Sequence, residues 1–130
     1  MGTGIPARSS GDQTVNYLRA PITFAIGTAG IVNVGTLPAN CLVLRCYAVV
    51  STVFNFGTNN LIKVGTAASD TTFSGASISV AALGTVAGTP AASANIAPSA
   101  DTLVICTSLC TGTAGTTGQA YVIVEYVPIS

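Results

Sequence analysis

A chain of 130 residues has room for one domain, which at that size buries roughly two thirds of its unfolded surface, and 49% hydrophobic residues are ample for its core. Charge is scarce: four basic and four acidic residues make up 6% of the chain, with formal net charge zero, where a typical domain carries about 25%. Phosphate recognition needs clustered Lys and Arg, so neither nucleic acid nor an anionic membrane is an expected partner, and with no histidine the Ser-His-Asp and Cys-His mechanisms are excluded.

Along the chain, residues 1–13 (MGTGIPARSSGDQ) form a polar stretch without the apolar segment of a secretory signal. Pro6 stands where a myristoylation motif wants Ser or Thr. This stretch is expected to be a flexible N-terminal arm, with residues 14–130 forming a single domain. Strand-length apolar and β-branched runs then alternate with Gly, Pro, Asn and Ser, and nowhere does a 3.6-residue period emerge. Strands are expected at Thr14 to Leu18, Ile22 to Ile26, Ile31 to Thr36, Cys41 to Val53, Asn60 to Thr66, Thr72 to Val80, Thr102 to Thr111 and Gln119 to Val127. Turn chemistry separates them at Gly27 to Gly30, Leu37 to Asn40, Gly57 to Asn60 and Gly112 to Gly118. The Ala-, Gly- and Ser-rich segment Ala81 to Ala100 reads as a long loop. The expected fold is an all-β antiparallel sandwich of about eight strands.

The run from Cys41 to Val50 is interrupted by Arg45 and falls well short of the about 20 residues of a membrane-spanning helix. It reads as a long strand, apolar on both faces apart from Arg45 and the Tyr47 hydroxyl. The run from Tyr121 to Val127 is likewise apolar on both faces, apart from Glu125 and its tyrosines. Strands of this kind suit a sheet that meets its own core on one side and another subunit on the other. Arg45 and Glu125 are the only charges inside the two strands and are expected to face one another. The alternative is that each reaches solvent at a sheet edge.

Of the four cysteines, Cys41 and Cys46 have an odd separation, which on a regular strand points them to opposite faces about 17 Å apart. Cys106 and Cys110 share a face about 14 Å apart, beyond the roughly 4.4–6.8 Å span of a disulfide. Only cross-strand pairs between the two groups stay geometrically open, and free thiols serving as small core hydrophobes are the expectation. Their spacings do not match the knuckle pairs of zinc sites. The carboxylates Asp12, Asp70, Asp101 and Glu125 fall in different elements, and the Gly112 to Gly118 loop lacks the Lys and following helix of a phosphate cradle. No catalytic, metal or cofactor residues are therefore assigned, and the chain is not read as an enzyme. Tyr17, Tyr47, Tyr121 and Tyr126 could stack on a sugar ring, but their places inside strands point to core packing.

In Phe24-Ala-Ile-Gly-Thr-Ala-Gly30, in Leu61-Ile-Lys-Val-Gly-Thr66 followed by Asp70, in the N-terminal arm and in the closing Gly118-Gln-Ala-Tyr-Val-Ile-Val-Glu-Tyr-Val-Pro128, the chain resembles the small decoration, or cement, proteins of tailed bacteriophage capsids. The resemblance implies a jelly-roll-like domain on the capsid exterior of the virion, assembled in the bacterial host cytoplasm. Its expected partners are the major capsid protein, whose subunits it would bridge, and other copies of itself as a dimer or trimer. No cofactor is implied. The competing expectations are a head-fibre or tail-fibre domain that meets a host receptor, and a lectin-like carbohydrate-binding module.

Overall fold

A computed structural model describes residues 15–89 and 100–129, so the expected arm lies outside the described residues. Eight strands are present: β1 (Asn16–Thr23), β2 (Ile31–Leu37), β3 (Cys41–Thr52), β4 (Leu61–Gly65), β5 (Ile78–Ser79), β6 (Gly84–Ala87), β7 (Thr102–Ser108) and β8 (Gln119–Pro128), with one 3-10 turn at Phe24–Ile26. They form two four-stranded antiparallel sheets, ordered β1-β8-β3-β6 and β2-β7-β4-β5. Every connection except β4 to β5 passes from one sheet to the other. This is the strand order of a jelly roll, the double-sheet solution to packing eight antiparallel strands around one core.

Alternation explains most of the core. Ala20 and Ile22 of β1, Ala120, Val122 and Val124 of β8, and Cys46, Ala48 and Val50 of β3 point inward from one sheet. Val34 and Leu37 of β2, Val104 and Cys106 of β7, and Ile62 and Val64 of β4 meet them from the other. Each valine, leucine or isoleucine among them contributes about 1.5–3 kcal/mol when fully buried, and each alanine less. Ser74 and Ser108 are the buried polar residues of the described chain, and both are satisfied. The Ser74 hydroxyl accepts from the Val64 N–H at 3.0 Å, while Ser108 donates to the Gly27 carbonyl at 2.6 Å and accepts from the Cys110 N–H at 3.1 Å.

Three expectations about the strands need correction. Thr14 to Leu18 and Ile22 to Ile26 were separate strands by sequence, yet Asn16–Thr23 is one strand pairing without interruption to β8. Pro21 is tolerated because β1 is a sheet edge, where a missing N–H costs no ladder bond. Phe24–Ile26 leave the strand in a 3-10 turn, capped by the Thr23 hydroxyl accepting from the Ala25 N–H at 3.3 Å. Thr72 to Val80 is mostly turn: the Gly75 N–H donates to the Thr71 carbonyl at 3.0 Å, and Gly75 takes a φ of 73°, so only Ile78–Ser79 pairs as a strand. The supposed loop after Ala81 contains β6, which pairs with Tyr47–Val50 of β3.

The fourth correction concerns parity. The β3–β8 register shifts between Val43 and Arg45, inserting Leu44 as a bulge that turns both Leu44 and Arg45 outward. Cys41 and Cys46, expected on opposite faces, are therefore both fully buried in the core. A bulge adds one residue to one strand and so inverts the in–out alternation beyond it.

Candidate functional site

The outer face of the β1-β8-β3-β6 sheet is built by register. Tyr17, Glu125 and Arg45 lie in one cross-strand row, and Arg19, Ile123, Tyr47 and Ala87 in the next. Pro21, Tyr121, Val49 and Thr85 form a third. The face is open to solvent: Tyr17 is 61% exposed, and the Arg45 side chain 67%.

Arg45 and Glu125 do meet. The Arg45 guanidinium donates from Nε to Oε1 at 2.7 Å and from Nη2 to Oε2 at 3.1 Å, a bidentate pair, and the Tyr47 hydroxyl adds a third bond to Oε2 at 2.8 Å. The hydrogen bonds from Arg45 hold the Glu125 carboxyl below its usual value, against the opposing effect of its burial, with Tyr47 assisting. The same bond to Glu125 raises the Tyr47 phenol. Arg45 also lies over the Tyr47 ring at 5.2 Å from its centroid, and Arg19 over the Tyr121 ring at 5.7 Å. Gln119 Nε2 donates to the Tyr121 hydroxyl at 3.1 Å. Three of the four tyrosines thus belong to a surface; only Tyr126 packs against the core. Their alternation with Leu18, Ala20, Val122 and Ala48 was the available signal, since polar-tipped aromatics on one side of three strands sum to a face once the strands are neighbours.

The outer face of the second sheet differs. Residues 66–70 fold back over its β4 end, where the Thr66 N–H donates to the Ser69 carbonyl at 2.8 Å and Lys63 pairs with Asp70; the chain then runs beside β4, with the Phe73 N–H donating to the Val64 carbonyl at 3.0 Å and the Phe73 ring in the core, and leaves Ile31 and Leu103 of this face exposed. Gly65 is required there, because a Cβ would collide with the Ser69 carbonyl. A shallow groove of about 560 Å³ remains between this loop and Ile31, Ile105 and Thr107.

The carboxylates of the described residues are all engaged. Asp101, just before β7, accepts from the Ala39 N–H at 2.9 Å and so ties the β2–β3 connection to the start of that strand, and Asp70 and Glu125 are each committed to a cation. Among the described residues no cluster of three His, Cys, Asp or Glu is placed to hold a metal ion. All four cysteines are free and buried, and burial pushes the Cys46 and Cys106 thiols up to about 12, which keeps them protonated and inert.

No family model matches the chain, and no curated protein matches it. Solved structures similar in fold include two phage capsid chains. A chain from the capsid of Ralstonia phage GP4 aligns over 90% of this chain and 86% of its own, with a TM-score of 0.59 and 21% identity. A chain of the cyanophage Pam1 capsid asymmetric unit aligns over 89% of this chain and 86% of its own, with a TM-score of 0.58 and 22% identity.

Proposed function

We propose that this chain is a bacteriophage structural protein that binds the outer surface of the capsid and stabilises it by bridging major capsid protein subunits. The observation that carries this reading is the two-sheet jelly roll, similar across about nine tenths of the chain to chains found in two phage capsids. The charge-poor composition supports it, because Thr, Ser and small apolar groups are desolvated against a neighbour far more cheaply than unpaired Lys or Glu. Its partners are the major capsid protein and further copies of itself, and no turnover is part of the role. Mechanism is avidity: modest contacts, repeated by the symmetry of the shell and extended by an N-terminal arm of residues 1–13 reaching a neighbour, raise the stability of the whole.

Quantitative mass spectrometry of purified particles tests this. A copy ratio near parity with the shell protein supports decoration. A ratio of a few per cent replaces it with a fibre role, and absence from particles overturns it.

A further inference from the structure

We infer that the protein docks through the outer face of its β1-β8-β3-β6 sheet, and that the surface it meets is an acidic patch of the shell protein supplying a carboxylate to Arg19. This rests on the capsid reading above and goes on to name the face and the chemistry of its partner.

Three observations select the face. The other sheet is partly covered by residues 66–70 of its own chain, anchored through Lys63 and Asp70, and what it leaves exposed is Ile31, Asn33, Thr36 and Leu103, whereas this one presents Tyr17, Arg19 and Arg45. Its exposed groups are tyrosine and arginine, the types that dominate interface energetics. They are also already ordered: Arg45 is clamped by Glu125 and stacked on Tyr47, so little side-chain entropy is left to lose on docking.

Charge then selects the occupant. Arg19, Arg45 and Glu125 are the ionised groups of the three rows, leaving the face with one surplus positive charge. Glu125 already accepts from Arg45 and Tyr47. Arg19 rests on the Tyr121 ring and has no ion-pair partner among the described residues. Covering it with an apolar or basic surface would strand a desolvated cation. A second copy of this chain is a poor occupant, since it brings the same surplus charge and a carboxylate that is already taken. A sugar finds the Tyr47 and Tyr121 rings already covered by guanidinium groups, which leaves Tyr17 alone among the tyrosines of the face to stack on.

The test is co-sedimentation of the purified full-length chain with shells stripped of it, comparing wild type, Arg19→Ala, Arg19→Glu and Thr36→Glu, the last an exposed position on the opposite sheet. Thermal melts by circular dichroism establish that each variant is folded. Arg19→Glu is expected to weaken binding by at least about tenfold, and Arg19→Ala by less, while Thr36→Glu binds as wild type. Binding of both Arg19 variants within about twofold of wild type overturns the face while leaving the capsid reading intact. A loss confined to Thr36→Glu transfers docking to the other sheet. A dimer in sedimentation velocity that Arg19→Glu dissolves would make a second copy the occupant. Failure of the wild-type chain to bind shells at all removes the capsid reading, and this inference with it.

Discussion

Deleting Leu44 would test whether that residue is the bulge in β3. The register already pairs Val43 with Tyr126 and Arg45 with Glu125, so removing the residue between them leaves a regular ladder. Cys41, Val43 and Cys46 then stay inward while Leu42 and Arg45 stay outward, because strict alternation is restored and no side chain has to change face. The side chain removed is 41% exposed, so the expected cost is less than about 1 kcal/mol, small beside the roughly 5–15 kcal/mol that holds a domain together. Urea unfolding followed by circular dichroism should show a midpoint within roughly 0.5 M of wild type for a slope of about 2 kcal/mol/M, with the slope itself unchanged. Leu44→Ala is the control and should cost no more. If Leu44 were instead part of a regular strand, its deletion would turn Cys41 and Val43, now 0% and 1% exposed, out of the core, and exposing the valine alone costs about 1.5–3 kcal/mol. A deletion variant less stable by about 3 kcal/mol, with a midpoint lower by roughly 1.5 M, would refute the bulge argument.

Three further outcomes are expected. Because the folded-state value of Glu125 is depressed, its contribution is complete above its ordinary value of 4.5 and is lost as pH falls from there through the lower folded value. Glu125→Gln should therefore flatten the acid side of the stability profile, measured as urea midpoint against pH; an unchanged acid slope would show the clamp to be inert. Ellman's reagent should find no reactive thiol in the native protein and all four in denaturant, since each is buried; prompt reaction of the native chain would contradict the packing. Removal of residues 1–13 should leave the domain's melting temperature nearly unchanged while reducing capsid loading, whereas a large fall in melting temperature would make the arm part of the core.

The sequence carried the two-sheet class because apolar alternation and turn residues are local signals, and they placed β2, β3, β4, β7 and β8 close to where they lie. Asn40, at φ 58°, is a turn residue legible in that way. The errors came from long-range circumstances. Whether Pro21 breaks a strand depends on whether that strand is an edge, and that is decided by partners a hundred residues away. β6 has only four residues, Gly-Thr-Val-Ala, too short for a period-2 pattern to rise above a small-residue background. The pairing of Arg45 with Glu125 followed from the scarcity of charge. The surface position of the tyrosines did not, because β3 and β8 are apolar on both faces, so their alternation alone does not say which face meets the core.

A β-sandwich must keep its sheet edges from pairing indiscriminately, and the usual device of Lys-studded edges is closed to a chain with one lysine. The four edge strands are blunted in other ways. β1 carries Pro21 within its pairing to β8, and β2 is broken by a register shift at Gly35, whose φ is 153°. β5 has two residues and β6 four. Each leaves little continuous ladder for a foreign strand to extend. With the edges blunted in this way, specificity would come from side chains on an open sheet face such as that around Arg19 and Tyr121, and not from backbone pairing.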